Sequence, residues 1–164
     1  MSQRDSAGDL ALVLHSHMPY VEGFGTYPFG EEWLFDAVIR SYLPVLEVAR
    51  DLTVTVTPVL ADQLEDRGAA ARLRAFLREW RIGAAEADLR DVPAELHPAL
   101  ESELTRYRHA LELLDAAGGD PLRPFQDAAA AGRIALAASA ATHAVLPLVA
   151  TLPGLRLQLD AGLR

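Results

Sequence analysis

Two histidines spaced i, i+2 close a short apolar run in Leu12-Val-Leu-His-Ser-His-Met-Pro-Tyr20. On a strand, that spacing points both imidazoles, His15 and His17, to the same face. Two polar rings side by side are costly to bury unless something pairs with them. A third histidine, His143, follows another short apolar run in Ala140-Ala-Thr-His-Ala-Val-Leu-Pro147. Neutral imidazoles can ligate a metal jointly. They can also donate hydrogen bonds to sugar hydroxyls or to a carboxylate. A bland alternative is a set of hydrogen-bonded rim histidines. Their position at strand ends, ahead of an aromatic and glycine-rich loop, favours a site.

Other residues carry weaker chemistry. Glu31 and Glu32 open a helix, where the macrodipole favours acids in any case. Trp33 and the loop aromatics Tyr20, Phe24, Tyr27 and Phe29 have faces that stack on sugar rings, although core packing accounts equally well for Trp33. Asp62, Gln63, Glu65 and Asp66, just past a second strand, read as a solvated helix start, with Asp62 or Gln63 facing a strand-end pocket as the alternative. Thr142 reads as an N-cap. His97 and His109 read as surface residues. The stretch from Arg67 to Arg90 reads as a solvated face whose ion pairs are individually weak. The sequence has no phosphate-binding glycine loop and no nucleophile elbow, and Gly23-Phe-Gly25 lacks a dinucleotide fingerprint's spacing.

These residues need elements to hold them. Leu10 to His17 reads as a buried strand, Met18 to Gly30 as a loop, and Glu31 to about Leu52 as a helix. Pro44 predicts a kink or break in that helix. Thr53 to Val59 reads as a second strand with Thr53, Thr55 and Thr57 on one face. Residues 61–117 are helical in character. Leu64, Leu73, Phe76, Leu77 and Trp80 form one apolar stripe, and Leu100, Leu104, Tyr107, Leu111 and Leu114 form another. Gly118 to Pro121 is a turn. Asp127 to Ala131 is a short helix and Arg133 to Ser139 a third strand. Pro147 and Pro153 bracket a short helical piece, and a further element starts at Leu155. Strand, helix, strand, helices, strand is an α/β order favouring parallel pairing, with ligands at the C-terminal strand ends.

Composition limits the partners. The 164 residues fit one domain, and 51% of them are apolar. There are 23 acids against 15 bases, a net charge of −8. Nucleic acid and anionic membranes are therefore disfavoured. All the bases are arginine, which removes lysine chemistry, and the lack of cysteine removes disulfides, thiolate nucleophiles and cysteine metal sites. The polar N-terminus, residues 1–9, has no signal-peptide core, and no apolar run approaches the ~20 residues of a membrane span. A cytoplasmic location is expected.

Three segments together resemble the N-terminal part of glycoside hydrolase family 57. They are His15-Ser-His-Met-Pro-Tyr20, Tyr27-Pro-Phe-Gly-Glu-Glu-Trp-Leu34, and Gly132-Arg-Ile-Ala-Leu136 leading into Ala141-Thr-His-Ala-Val-Leu-Pro-Leu148. The branch most similar is the 1,4-α-glucan branching enzymes of actinobacterial type, active in glycogen biosynthesis. The resemblance implies a partial catalytic domain over residues 1–164, forming the first portion of a distorted (β/α)7 barrel. About three parallel strands are expected, with a helical insertion between strands two and three. It implies a retaining enzyme acting on α-1,4-glucan through a Glu nucleophile and an Asp general acid/base. No metal or organic cofactor is implied. His15, His17 and His143 match histidines that line the donor subsite, and Glu31 and Trp33 match a recurrent element of the early loop.

The resemblance places no catalytic carboxylate in this chain, because both belong to segments further along the family's barrel. Ala135 stands where many relatives carry an acid. The chain alone is expected to be inactive. With an unpaired strand edge and an exposed apolar face, it is also expected to be marginally stable or self-associating. Branching, hydrolysis and 4-α-glucanotransfer all occur in such a family. A metal-dependent hydrolase built on His15, His17 and His143, or a non-catalytic glucan-binding remnant, are the rival readings.

Overall fold

The computed structural model describes residues 8–66 and 68–163. The N-terminal stretch up to residue 7, together with Arg67 and Arg164, lies outside them.

Three short strands, β1 (Val13–Ser16), β2 (Leu52–Val56) and β3 (Ile134–Ala137), form one parallel sheet in the order β1-β2-β3. Val13 pairs with Thr53 and His15 with Thr55, while Thr53 pairs with Ala135 and Thr55 with Ala137. The α/β class and the parallel pairing are as expected. The strands are shorter than the apolar runs that signalled them. Strand two ends at Val56 rather than Val59 because Pro58 has no N–H for a ladder and instead opens a helix.

Strand one is not buried. Leu10 is 85% exposed, and Leu12 and Val13 are more than half exposed. Among the described residues β1 is bonded only to β2, and Leu136 on the opposite edge strand is 51% exposed. Apolar content predicted burial, but burial requires a neighbour on each side.

Between β1 and β2 the chain forms α1 (Glu31–Ala37), a π-helical stretch over Val38–Tyr42, and α2 (Leu43–Val48). Pro44 therefore does not break the helix. Its ring crowds the carbonyl one turn earlier and it lacks an N–H. The preceding turn widens instead, and the Leu43 N–H bonds the Val38 carbonyl five residues back.

Helices α3 (Pro58–Glu65), α4 (Ala69–Phe76), α5 (Ala84–Asp91), α6 (His97–Ala116) and α7 (Arg123–Ala130) fill the insertion between β2 and β3. α7 starts earlier than the predicted Asp127. After β3 come a 3₁₀ turn at Leu146–Leu148 and α8 (Leu152–Gly162), so Pro153 lies inside the first turn of α8 rather than beyond a helix. Among the described residues no helix is long and apolar enough to cross a membrane.

The larger core sits among the helices rather than on the sheet. Leu34, Phe35 and Ile39 meet Leu60, Leu64, Leu73, Phe76 and Leu77, with Tyr107 and Leu114 of α6 closing the cluster. A smaller core of Leu46, Ala49, Val54, Phe125, Ala128 and Ile134 lies beneath the sheet. The predicted stripe fails at Trp80, which is 47% exposed. Trp80 falls in a second π-helical stretch, Leu77–Gly83, whose extra residue per turn rotates it off the buried face. It stacks on Tyr27, with centroids 4.5 Å apart.

Candidate functional site

His15 lies in β1 directly across from Thr55, and Ser16 across from Val56. The backbone bond from Thr57 N–H to the Ser16 carbonyl, at 3.1 Å, carries the same register to His17 and Thr57. Each histidine accordingly meets a threonine of the predicted Thr53-Thr55-Thr57 face. His15 Nδ1 is 2.6 Å from Thr55 Oγ1, and His17 Nδ1 is 3.1 Å from Thr57 Oγ1. The two rings lie 6.2 Å apart between centroids, nearly parallel.

His143 closes the group, 4.9 Å from His15 and 4.8 Å from His17. Its loop is held from two sides. Val59 N–H at the start of α3 donates to the Ala141 carbonyl at 3.2 Å, and Ala141 N–H donates to the Gln158 carbonyl of α8 at 2.9 Å. Thr142, read from sequence as an N-cap, instead donates its N–H and hydroxyl to Gln158 Oε1, at 3.0 and 3.2 Å. A hollow of about 130 Å³ opens between His15, Ser139, Thr142, His143 and Val145. Burial lowers the proton affinity of His17 first, and the neighbouring His143 and His15 lower it further. His17 thus resists protonation beside its two neighbours.

The loop over residues 18–30 is fastened by two groups. Gln63, fully buried in α3, accepts from Val21 N–H at 2.8 Å and donates to the carbonyls of Val59 and Pro19 at 3.0 and 3.2 Å. The sequence offered Gln63 as a pocket residue; its contacts are to the chain itself, and Asp62 beside it is exposed. Gln63→Leu keeps the volume but orphans the Val21 N–H and leaves the Pro19 carbonyl without its donor. It is expected to cost about 1–3 kcal/mol, read by urea denaturation. A loss below 0.5 kcal/mol would show that the loop finds other partners.

Glu31 is the second fastener. It is buried at the start of α1 and accepts from Arg72 Nε at 2.9 Å and from an Arg72 terminal nitrogen at 2.6 Å, with the Thr26 hydroxyl donating at 3.2 Å. Asp66 accepts from the same guanidinium at 3.0 Å. Glu31 N–H also bonds the Gly25 carbonyl, so the loop folds back onto the helix start. Gly30 permits this: its φ is +94°, and a Cβ there would meet the Gly25 carbonyl at 2.4 Å. Arg81 similarly binds Asp36 at 2.9 Å and lies over the Phe76 ring. The Arg-rich segment therefore includes interior anchors as well as a solvated face.

The structure brings His15, His17 and His143 together. Glu31 takes Arg72 and Thr26 as partners, and Trp33 lies on α1, 54% exposed. His97 is half-buried against the Val92 carbonyl, and exposed His109 pairs with Glu47. Thr55 and Thr57 were legible only as an alternating strand face; their bonds to the histidines needed the register. Among the described residues no three His, Cys, Asp or Glu side chains are placed to hold a metal ion.

The pattern of Glycosyl hydrolase family 57 matches residues 11–162. A 1,4-alpha-glucan branching enzyme of Thermococcus kodakarensis is 34% identical over 94% of this chain and 24% of its own length. A probable 1,4-alpha-glucan branching enzyme of Mycobacterium tuberculosis is 31% identical over 87% of this chain and 32% of its own length. The chain thus spans about a quarter to a third of the length of these curated relatives. The crystal structure of a branching enzyme of this family from Pyrococcus horikoshii superposes with a TM-score of 0.84, at 32% identity, over 93% of this chain and 30% of that one. An alpha-amylase from Thermotoga maritima reaches a TM-score of 0.81 at 25% identity, over 93% and 31%. With strand-end histidines, parallel topology and this match along nearly its whole length, the chain belongs to glycosyl hydrolase family 57.

Proposed function

We propose that this chain is the first part of the barrel of a retaining α-1,4-glucan branching enzyme, and that His15, His17 and His143 hold a glucosyl unit at the donor subsite. The convergence of the three imidazoles within 4.8–6.2 Å at the C-terminal ends of parallel strands carries the reading. Ligand sites in such sheets lie at those ends. Each strand histidine is anchored through Nδ1, which leaves Nε2 free for a sugar hydroxyl. Similarity to branching enzymes supports glucan as the substrate.

The two-carboxylate chemistry of a retaining glycosidase needs an acid and a nucleophile on opposite sides of the scissile bond. The electrostatic neighbours of His17 are His143 and His15, not a carboxylate. We therefore assign this chain substrate holding, and expect it by itself to bind glucan without cleaving or branching it. The acidic charge and the absence of cysteine suit a cytoplasmic protein acting on a neutral polysaccharide.

Calorimetry with maltoheptaose tests this. Binding heat from the chain is expected, reduced at least tenfold in affinity by His17→Ala, roughly the loss of one or two oriented hydrogen bonds. No heat from the unmodified chain, or unchanged affinity in the variant, overturns the subsite. New branches in amylose incubated with the chain alone overturn the division of labour.

A further inference from the structure

The geometry points to Thr57 as the residue that sets the tautomer of His17, keeping the proton on Nε2 so that His17 meets its ligand as a hydrogen-bond donor. This inference rests on the glucan-holding reading for its consequence, but not for its geometry.

Thr57 is fully buried. Its backbone is committed: the N–H donates to Ser16, and the carbonyl accepts from Leu60 and Ala61 at the first turn of α3. Its hydroxyl oxygen accepts from Leu60 N–H at 3.4 Å, as the N-cap. The hydroxyl proton still needs an acceptor, because a buried donor without one is costly. Among the described residues, the remaining polar atom within reach of Oγ1 is His17 Nδ1, at 3.1 Å.

The two possible arrangements at that contact are unequal. With Nδ1 unprotonated, the hydroxyl donates to it and both groups are satisfied. With Nδ1 protonated, the hydroxyl oxygen can accept from it through its second lone pair, but the hydroxyl proton has nowhere to go. Nδ1 is therefore the acceptor, and in the neutral ring Nε2 must carry the hydrogen. Protonating the ring would break the same bond. The charge-resisting character of His17 given by burial, His143 and His15 runs in the same direction.

The consequence is chemical. An Nε2–H cannot bind a metal cation through that nitrogen, because the lone pair is in use. It can donate to a sugar hydroxyl or to an oxygen bearing negative charge. His15 faces Thr55 in the same sense, but Thr55 is only half-buried and its proton can reach water, so the constraint is weaker there. Thr57 acts through His17 and is a positioning residue. It links the start of α3 to the ring, so the N-cap and the tautomer are set by one hydroxyl.

The test is a long-range proton–nitrogen spectrum of the whole chain labelled with ¹⁵N-histidine, at a pH well above the ordinary histidine range. The His17 signals are assigned by their loss in His17→Gln. Nε2 is expected as the protonated nitrogen and Nδ1 as the bare one. Thr57→Ser should retain that pattern; Thr57→Val should shift His17 toward a mixture of tautomers and lower maltoheptaose affinity about tenfold. If the chain self-associates, the same spectrum is recorded in the solid state. His17 protonated at Nδ1, or a Thr57→Val spectrum unchanged from the parent, overturns the inference. The unmodified chain alone decides the first point, so loss of the cap in Thr57→Val cannot obscure it. An Nε2–H tautomer without maltoheptaose binding would sink the glucan reading and leave the tautomer assignment standing.

Discussion

Phe76→Ala is expected to lower the unfolding free energy by about 4 kcal/mol. Phe76 is 1% exposed at the end of α4 and belongs to the larger core. Its ring lies 5.6 Å from that of Phe35 in α1, and the Arg81 guanidinium sits 4.5 Å above its face. Truncation removes the buried apolar surface and leaves a cavity between two helices that are also held elsewhere, so the gap cannot close. It also removes an aromatic pair and a cation–π contact, each worth about 0.5–1.5 kcal/mol. Even against the about 5–15 kcal/mol typical of complete domains this loss is large, so the variant should unfold at a much lower urea midpoint. Val48→Ala is the control, because Val48 is largely exposed at the end of α2 and should change stability by less than about 0.5 kcal/mol. Equal losses from the two variants would falsify the placement of the core among the helices.

Removing Arg72 should be the next most damaging change outside the apolar core. Arg72→Ala strips the buried Glu31 carboxylate of its bidentate partner. Breaking a buried pair by deleting one member costs about 3–5 kcal/mol, because the other charge is left desolvated. Arg72 is itself 38% exposed, so solvent screening reduces the expected loss to about 2–3 kcal/mol. The pairing also raises the Arg72 proton affinity, chiefly through the Glu31 hydrogen bonds, against the opposing effect of burial. The damage should be local as well as global. Glu31 joins the loop through Thr26 and the Gly25 carbonyl to α4, so amide exchange over residues 24–32 should accelerate before the rest of the chain. A cycle with Glu31→Gln isolates the pair. If Glu31→Gln alone costs as much as the double variant, and Arg72→Ala costs nothing, the ion pair is not what holds the loop.

Both predictions concern the scaffold around the histidines, and the scaffold is where sequence and structure diverge most. The i, i+2 spacing of His15 and His17 was enough to place both rings on one face, because a strand has a period of two wherever it lies in space. The threonine alternation was legible for the same reason. Parallel pairing followed from helices lying between successive strands. The segments carrying the resemblance to family 57 were continuous pieces of chain, readable without any fold.

The sequence by itself determined what depends on local period and residue type: the strand faces, the helical insertion, the histidines as candidates, and the family. Only the tertiary structure decided what depends on neighbours distant in the chain. Register put Thr57 against His17, forty residues away. Packing turned Glu31 and Arg72 from apparent surface charges into an anchor. The exposed Leu10 and Leu136 show that an apolar run is buried only where another element covers it. At Pro44 and Trp80 a widened helical turn changed the outcome: it carries the helix into a proline that has no N–H to donate, and it rotates Trp80 off the expected face.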